Sequence, residues 1–250
     1  SMVGTAFALR VSSMAWDGDD DALCRRLLAD AASMACRGDD VSVTAWVLAR
    51  RGEYELARGR PDRAVALTEG AAGMVRRLSP GCGAFILAKH ALACSSIGDR
   101  HATFRMVGQA LDAAARDETG AEPSWMGVYG VGHVRHDAAR CYANLGLGPQ
   151  TVSAVEEALA TGTRRRYTRP RAFSLGIQVI GHAYCGDVER ACAPVGELVD
   201  TAERLRSGRL RTRVAEVVRA LEPYRAEAVV REAMTAASAV LDDHRRQGIR

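Results

Sequence analysis

The stretch Gly59-Arg60-Pro61-Asp62-Arg63-Ala64-Val65-Ala66-Leu67 decides how this chain folds. A glycine ends one apolar run. A proline, which suits the first turn of a helix, opens the next, and Asp62 favours the positive end of that helix's dipole. Equivalent turns occur at Trp16-Asp17-Gly18-Asp19, Gly98-Asp99, Leu145-Gly146 and Gly186-Asp187. They are spaced at roughly 40 residues, the period of stacked helical hairpins. The runs between them repeat at spacings of three and four, as in Leu23, Leu27, Leu28, Ala31 and Met34, which share one helical face. Gly38-Asp39-Asp40 is expected to stop that helix, with the glycine in the left-handed conformation. No segment alternates with period two, so the fold class is all-α.

Working outward, the hairpins are expected at about 5–37, 41–78, 80–115, 124–161 and 170–205, with capping helices over 206–244. Together they make one domain over 1–250. Gly52, twelve residues before Ala64 and nineteen before Ala71, matches the small positions where the two helices of a tetratricopeptide repeat (TPR) approach closely. The expected architecture is a TPR-like right-handed superhelix of about five hairpins. The polar segment from Asp117 to Pro123 is the candidate hinge.

Composition narrows the function. The 250 residues are 48% hydrophobic, 26% charged and only 5% aromatic, with a net charge of +4 from 34 basic and 30 acidic residues. Such a mild balance argues against direct DNA binding, which calls for a strongly basic face. Lys89 is the single lysine, a bias that fits GC-rich codons and a high-GC bacterial source. Seven cysteines without a Cys-x-x-Cys pair point to a reduced, cytoplasmic protein. No apolar run reaches the 18 residues a membrane span needs. The opening Ser1-Met2 reads as the remnant of an expression tag.

In such arrays the first helix of each hairpin lines the inner curve. Counted from the small positions, the inward candidates are Trp46 and Glu53, then Phe85, Leu92 and Ser95, then His133, His136, Arg140 and Asn144, then Phe173, Ile180 and Tyr184. Aromatic walls with a few charged groups suit a small molecule or peptide. The binding set proposed from sequence is Trp46, Glu53, Phe85, His133, His136, Arg140, Asn144 and Tyr184. His133 and His136 share a helix face, but a metal site would need a third ligand such as Glu53 or His90, so no metal is assigned. Gly127, Gly130 and Gly132 lack the preceding strand and the Gly-Lys-Ser/Thr of a phosphate loop. The run Arg164-Arg165-Arg166 with Arg169 and Arg171 reads as a solvated loop rather than a nucleic-acid patch. No nucleophilic triad is apparent, so no catalysis and no cofactor is expected.

Several landmarks resemble one family. They are Ala15-Trp16-Asp17-Gly18-Asp19, Gly59 to Leu67, Glu122-Pro123-Ser124-Trp125, Cys141 to Gly146, Gly186 to Cys192, Leu205-Arg206-Ser207-Gly208-Arg209 and Leu221-Glu222-Pro223-Tyr224. Their order resembles the C-terminal TPR-like domain of actinobacterial helix-turn-helix transcriptional regulators of the Cro/CI (XRE) type. The resemblance implies a non-catalytic sensor or dimerisation domain that binds a small-molecule or peptide effector. It further implies a homodimer, with DNA bound only through a helix-turn-helix domain outside this chain. The alternative is a stand-alone TPR scaffold for protein–protein interaction.

Overall fold

The structure is a computed structural model that describes residues 2–116, 129–161 and 166–247, with side chains through 242. The candidate hinge at 117–123, the Glu122 to Trp125 landmark, Gly127, Arg164 and Arg165 lie outside the described residues. Every regular element among the described residues is helical. The chain divides into two compact units, 1–145 and 146–250.

In the first unit the helices are α1 (Met2–Asp17), α2 (Asp21–Cys36), α3 (Val41–Ala57), α4 (Pro61–Ala72), α5 (Pro80–Ser96), α6 (Arg100–Ala115) and α7 (Val131–Asn144). A short 3₁₀ turn, Val75–Arg77, precedes α5. Antiparallel partners pack as α1 with α2, α3 with α4 and α5 with α6, and each first helix also touches the next first helix. α5 is central because its sequence, Pro80 to Ser96, is apolar nearly all round. From Gly81 to Ser95 every residue but His90 is buried, as a helix without a polar face must be. It packs on α3, α4, α6 and α7.

Acids start the helices by accepting orphan backbone N–H groups. Asp20 caps α2 through the Leu23 N–H, Asp40 caps α3 through Ser42 and Val43, and Asp99 caps α6 through Ala102. Gly59, Gly98, Gly146 and Gly186 take left-handed φ values of 68, 77, 69 and 74°. Two of the expected stops work otherwise. In the first turn the left-handed residue is Asp19 (φ 59°), not Gly18. Gly38 does not adopt a positive φ, and α2 is followed by Arg37 in the right-handed region. The start of α3 is fixed there by the Asp40 cap rather than by a glycine stop.

Gly52 matters for packing, not for backbone freedom. A Cβ at that position would sit 2.5 Å from Thr68 Cγ2 and 3.2 Å from the Ala64 carbonyl, so α3 and α4 touch there nearly backbone to backbone. Ala64 and Ala71 line the same contact, fully buried.

In the second unit the helices are α8 (Gly148–Ala160), α9 (Thr168–Tyr184), α10 (Val188–Cys192), α11 (Val195–Leu205), α12 (Gly208–Leu221) and α13 (Ala228–Gln247), with a 3₁₀ turn at Glu222–Tyr224. α9 is the hub, packed by α8, α10, α11 and α12, while α13 covers α11 and α12. Ile177, Leu198, Leu210 and Leu221 are among its fully buried large side chains. The Tyr224 hydroxyl donates to the Ala183 carbonyl at 2.8 Å, tying the tail to the end of α9.

Candidate functional site

The helical register of the first unit places inner-face residues in rows. Relative to the small positions 52, 91 and 139, the row six before holds Trp46, Phe85 and His133. The row two before holds Arg50, Lys89 and Asp137, and the row one after holds Glu53, Leu92 and Arg140. α3, α5 and α7 lie side by side, so these rows run across three hairpins.

Lys89 sits at the centre of a charge network and is only 8% exposed. Its Nζ donates to Asp137 Oδ2 at 2.9 Å and to Glu53 Oε1 at 3.2 Å, joining α5 to both neighbours. It also lies 5.4 Å from the centre of the Phe85 ring. Arg50 pairs with Glu53 at 2.6 Å and donates to Ser13 of α1 at 2.5 Å. Arg140 lies 3.8 Å from Glu53 and 3.6 Å from Asp137. The Tyr129 hydroxyl donates to Asp137 at 2.5 Å. Its ring meets Phe85 edge-on at 5.1 Å and stacks on His133 at 5.2 Å. At the far end, exposed Asn144 donates to the buried Ser95 hydroxyl at 2.9 Å.

The electrostatics follow from burial set against opposite charge. Burial pushes the Glu53 carboxyl up, but Lys89, Arg50 and Arg140 outweigh it and bring it down to about 2. Burial acts on Asp137 in the same way, and Lys89, Arg140 and the Tyr129 hydroxyl bring it down to about 2. Burial, and then the Asp137 charge, push the Tyr129 hydroxyl well above its ordinary range. The two carboxylates are therefore charged at neutral pH and the tyrosine is a donor. Burial raises the Cys141 thiol to about 12 and Cys94 to about 11, so neither offers a thiolate nucleophile.

Of the residues proposed from sequence, Glu53, Phe85, His133, Arg140 and Asn144 come together around this network. His136 lies one turn before Arg140 on α7, half-buried. Trp46 is buried in a core cluster drawn from α1 to α5. Tyr184 is exposed at the end of α9, in the other unit. Sequence reasoning missed Arg50, Lys89, Tyr129 and Asp137 as parts of the site. The signal for three of them was the row two positions before each small residue, which reads Arg, Lys, Asp. In α9 the matching positions are Phe173, Ile177 and Ile180, so the charged rows belong to the first unit.

Among the described residues, no group of three or more histidines, cysteines or acids stands close enough to hold a metal ion. The basic run near α9 is partly engaged. Arg171 makes a two-pronged pair with Glu197 at 2.5 and 3.1 Å, while Arg166 and Arg169 lie over the Tyr167 and Phe173 rings.

No protein-family model and no curated protein sequence matches the chain. Among solved structures it is similar to a Podosopora anserina chain assigned to the kinesin light chains, with nearly identical TPR-like repeats. The two share 16% identity at a TM-score of 0.56, over 84% of this chain and 100% of that one. A single-substitution variant of that Podosopora protein gives 15% identity and a TM-score of 0.57 over the same shares. The fold is therefore all-α and TPR-like.

Proposed function

We propose that this chain is a non-catalytic interaction scaffold that grips an acidic segment of a protein partner on the inner face of α3, α5 and α7. One observation carries the reading. Arg50 and Arg140 are the partly open members of the network, 19% and 25% exposed, and both are held from beneath by buried carboxylates. Guanidinium groups fixed in this way are pre-organised donors for a carboxylate, and they lose little freedom on binding. Asn144, fixed by Ser95, adds an exposed amide suited to peptide backbone. The residues proposed from sequence at this face, His133 and His136 among them, would flank the segment. Seven cysteines outside any disulfide, two of them exposed, support a reducing compartment, the cytoplasm.

The test is a phage-displayed peptide selection on the whole chain. Enriched peptides should be acidic. Arg140→Ala should weaken their binding by about tenfold, as loss of one charge-assisted contact does. Its melting temperature should fall by only a few degrees, less than for loss of the buried Lys89, since the residue is partly open to solvent. An absence of enriched peptides, or equal binding to Arg140→Ala, overturns the reading.

A second reading is the sensor domain of a Cro/CI-type regulator, dimeric and responding to a small molecule or peptide. It rests on the order of landmarks quoted above, of which Leu221 to Tyr224 closes the tail onto α9. It requires that the native gene encode a helix-turn-helix domain ahead of Met2. A reading frame without one removes it.

A further inference from the structure

The outer face of α1 carries an apolar stripe. Val3, Phe7 and Met14 are 74, 69 and 70% exposed, and with Arg10 they follow spacings of four, three and four along one helical row. The opposite face of the helix, Thr5, Ala8, Leu9, Ser12 and Ala15, is buried. Large apolar side chains lined up in a row mark an interaction surface far more strongly than the same residues scattered singly.

The repeat itself says what kind of element belongs there. α3 is covered by α2, and α5 by α4; each time the second helix of the preceding hairpin packs on the next first helix. Among the described residues, no helix takes that place on α1. The missing neighbour is a helix with a matching row of apolar side chains.

We propose that this neighbour is α1 of a second copy, lying antiparallel across a two-fold axis between residues 8 and 9. A row spaced four, three, four reads the same in both directions. The two-fold therefore sets Val3 against the partner's Met14, and Phe7 against the partner's Arg10. Arg10 is the one charge on the stripe, is exposed, and has no ion pair or hydrogen bond with its own chain's described residues. Across the two-fold it lies on the face of an aromatic ring, an arrangement arginine favours. No acid on the row is left facing a mismatched partner, and each Arg10 falls on its own side of the axis. The contact is isologous and closes at two copies. This inference is independent of the peptide reading, because the row Val3, Phe7, Arg10 and Met14 shares no residue with the Lys89 network.

The experiment has two arms. In sedimentation velocity, the whole chain should move from monomer to dimer as its concentration rises to about 200 µM, as expected of a small apolar interface. Phe7→Glu should weaken the association by about 100-fold, since each dimer loses two buried rings, with the melting temperature unchanged because the residue is exposed in the monomer. In the second arm the exposed cysteines are removed as Cys36→Ser and Cys185→Ser. A mixture of the Val3→Cys and Met14→Cys proteins should then form a disulfide-linked pair on mild oxidation, while neither protein alone does. A wild type that stays monomeric, a Phe7→Glu protein that still dimerises, or Val3→Cys linking to itself as fast as in the mixture would each overturn the proposal.

Discussion

Lys89→Ala is expected to cost about 3–5 kcal/mol and to lower the melting temperature by about 10 °C, because removing one partner from a buried ion network leaves the others uncompensated. Lys89 is the cation shared by Asp137 and Glu53, and the side chains of both acids are largely closed to water. The cost should depend on pH in a particular direction. In the wild type, both acids sit at about 2, below their ordinary values of 4.5 and 3.8. Their contribution to stability is therefore complete above about pH 4.5 and is lost as pH falls towards 2. Without Lys89 the burial of both carboxyls is less opposed, so their folded pKa values rise and the variant binds protons on folding. The gap between variant and wild type should be widest at neutral pH and should already be narrower at pH 4, where the variant's raised carboxyls take up protons.

Circular dichroism melts at pH 7 and pH 4 measure both effects. A Lys89→Ala protein melting within about 2 °C of wild type at pH 7 would remove the network from the account of stability. A gap that widens on acidification would reverse the assigned charges. The triple variant Lys89→Met, Glu53→Gln, Asp137→Asn should recover part of the loss, since the charges it leaves without these acids, Arg50 and Arg140, are partly open to solvent.

Gly148→Val should destabilise the second unit by about 3 kcal/mol or more, as overpacking against rigid neighbours does. A Cβ at Gly148 would lie 2.8 Å from Cys185 Sγ, 3.1 Å from the Cys185 backbone nitrogen and 3.1 Å from the Tyr184 carbonyl carbon. Two of these atoms are backbone at the end of α9, so no rotamer change relieves the contact. On the facing helix, Gly181 is equally tight, with Thr151 Cγ2 2.9 Å from its would-be Cβ. The two glycines thus set how closely α8 and α9 approach. Gly196→Ala in α11 is the matched control. A Cβ there meets nothing within 4 Å, so the change should be neutral or stabilise by up to about 1 kcal/mol. Urea unfolding of both variants decides the matter. Equal midpoints would mean that α8 and α9 have room to separate.

Why the helices and their ends were legible is physical. Apolar spacing of three and four survives any tertiary context, and Pro61 at the start of α4 and the left-handed Gly59, Gly98, Gly146 and Gly186 are local backbone requirements. The first turn read differently because Gly18 and Asp19 both tolerate the left-handed geometry, whereas between α2 and α3 no described residue adopts it and the Asp40 cap sets the start of α3. Lys89 was visible in the sequence as a lone charge within Phe85-Ile86-Leu87-Ala88-Lys89-His90-Ala91-Leu92. A cation there must be buried and must find acids. Its acids, however, lie 36 and 48 residues away in sequence, and only the shared repeat register brings them together. Trp46 shows the opposite limit. It occupies an inward row by spacing, yet its size draws it into the core.

The seclusion of Lys89 has a practical side. Since the chain has one lysine and that lysine is nearly shut from solvent, amine-directed reagents meet no open lysine side chain in the folded protein. A protease that cuts only after lysine likewise has one target, midway along the most enclosed helix. Acylation or cleavage at that point would register each opening of α5 away from its neighbours, so the protein carries a single-site clock for its own local unfolding.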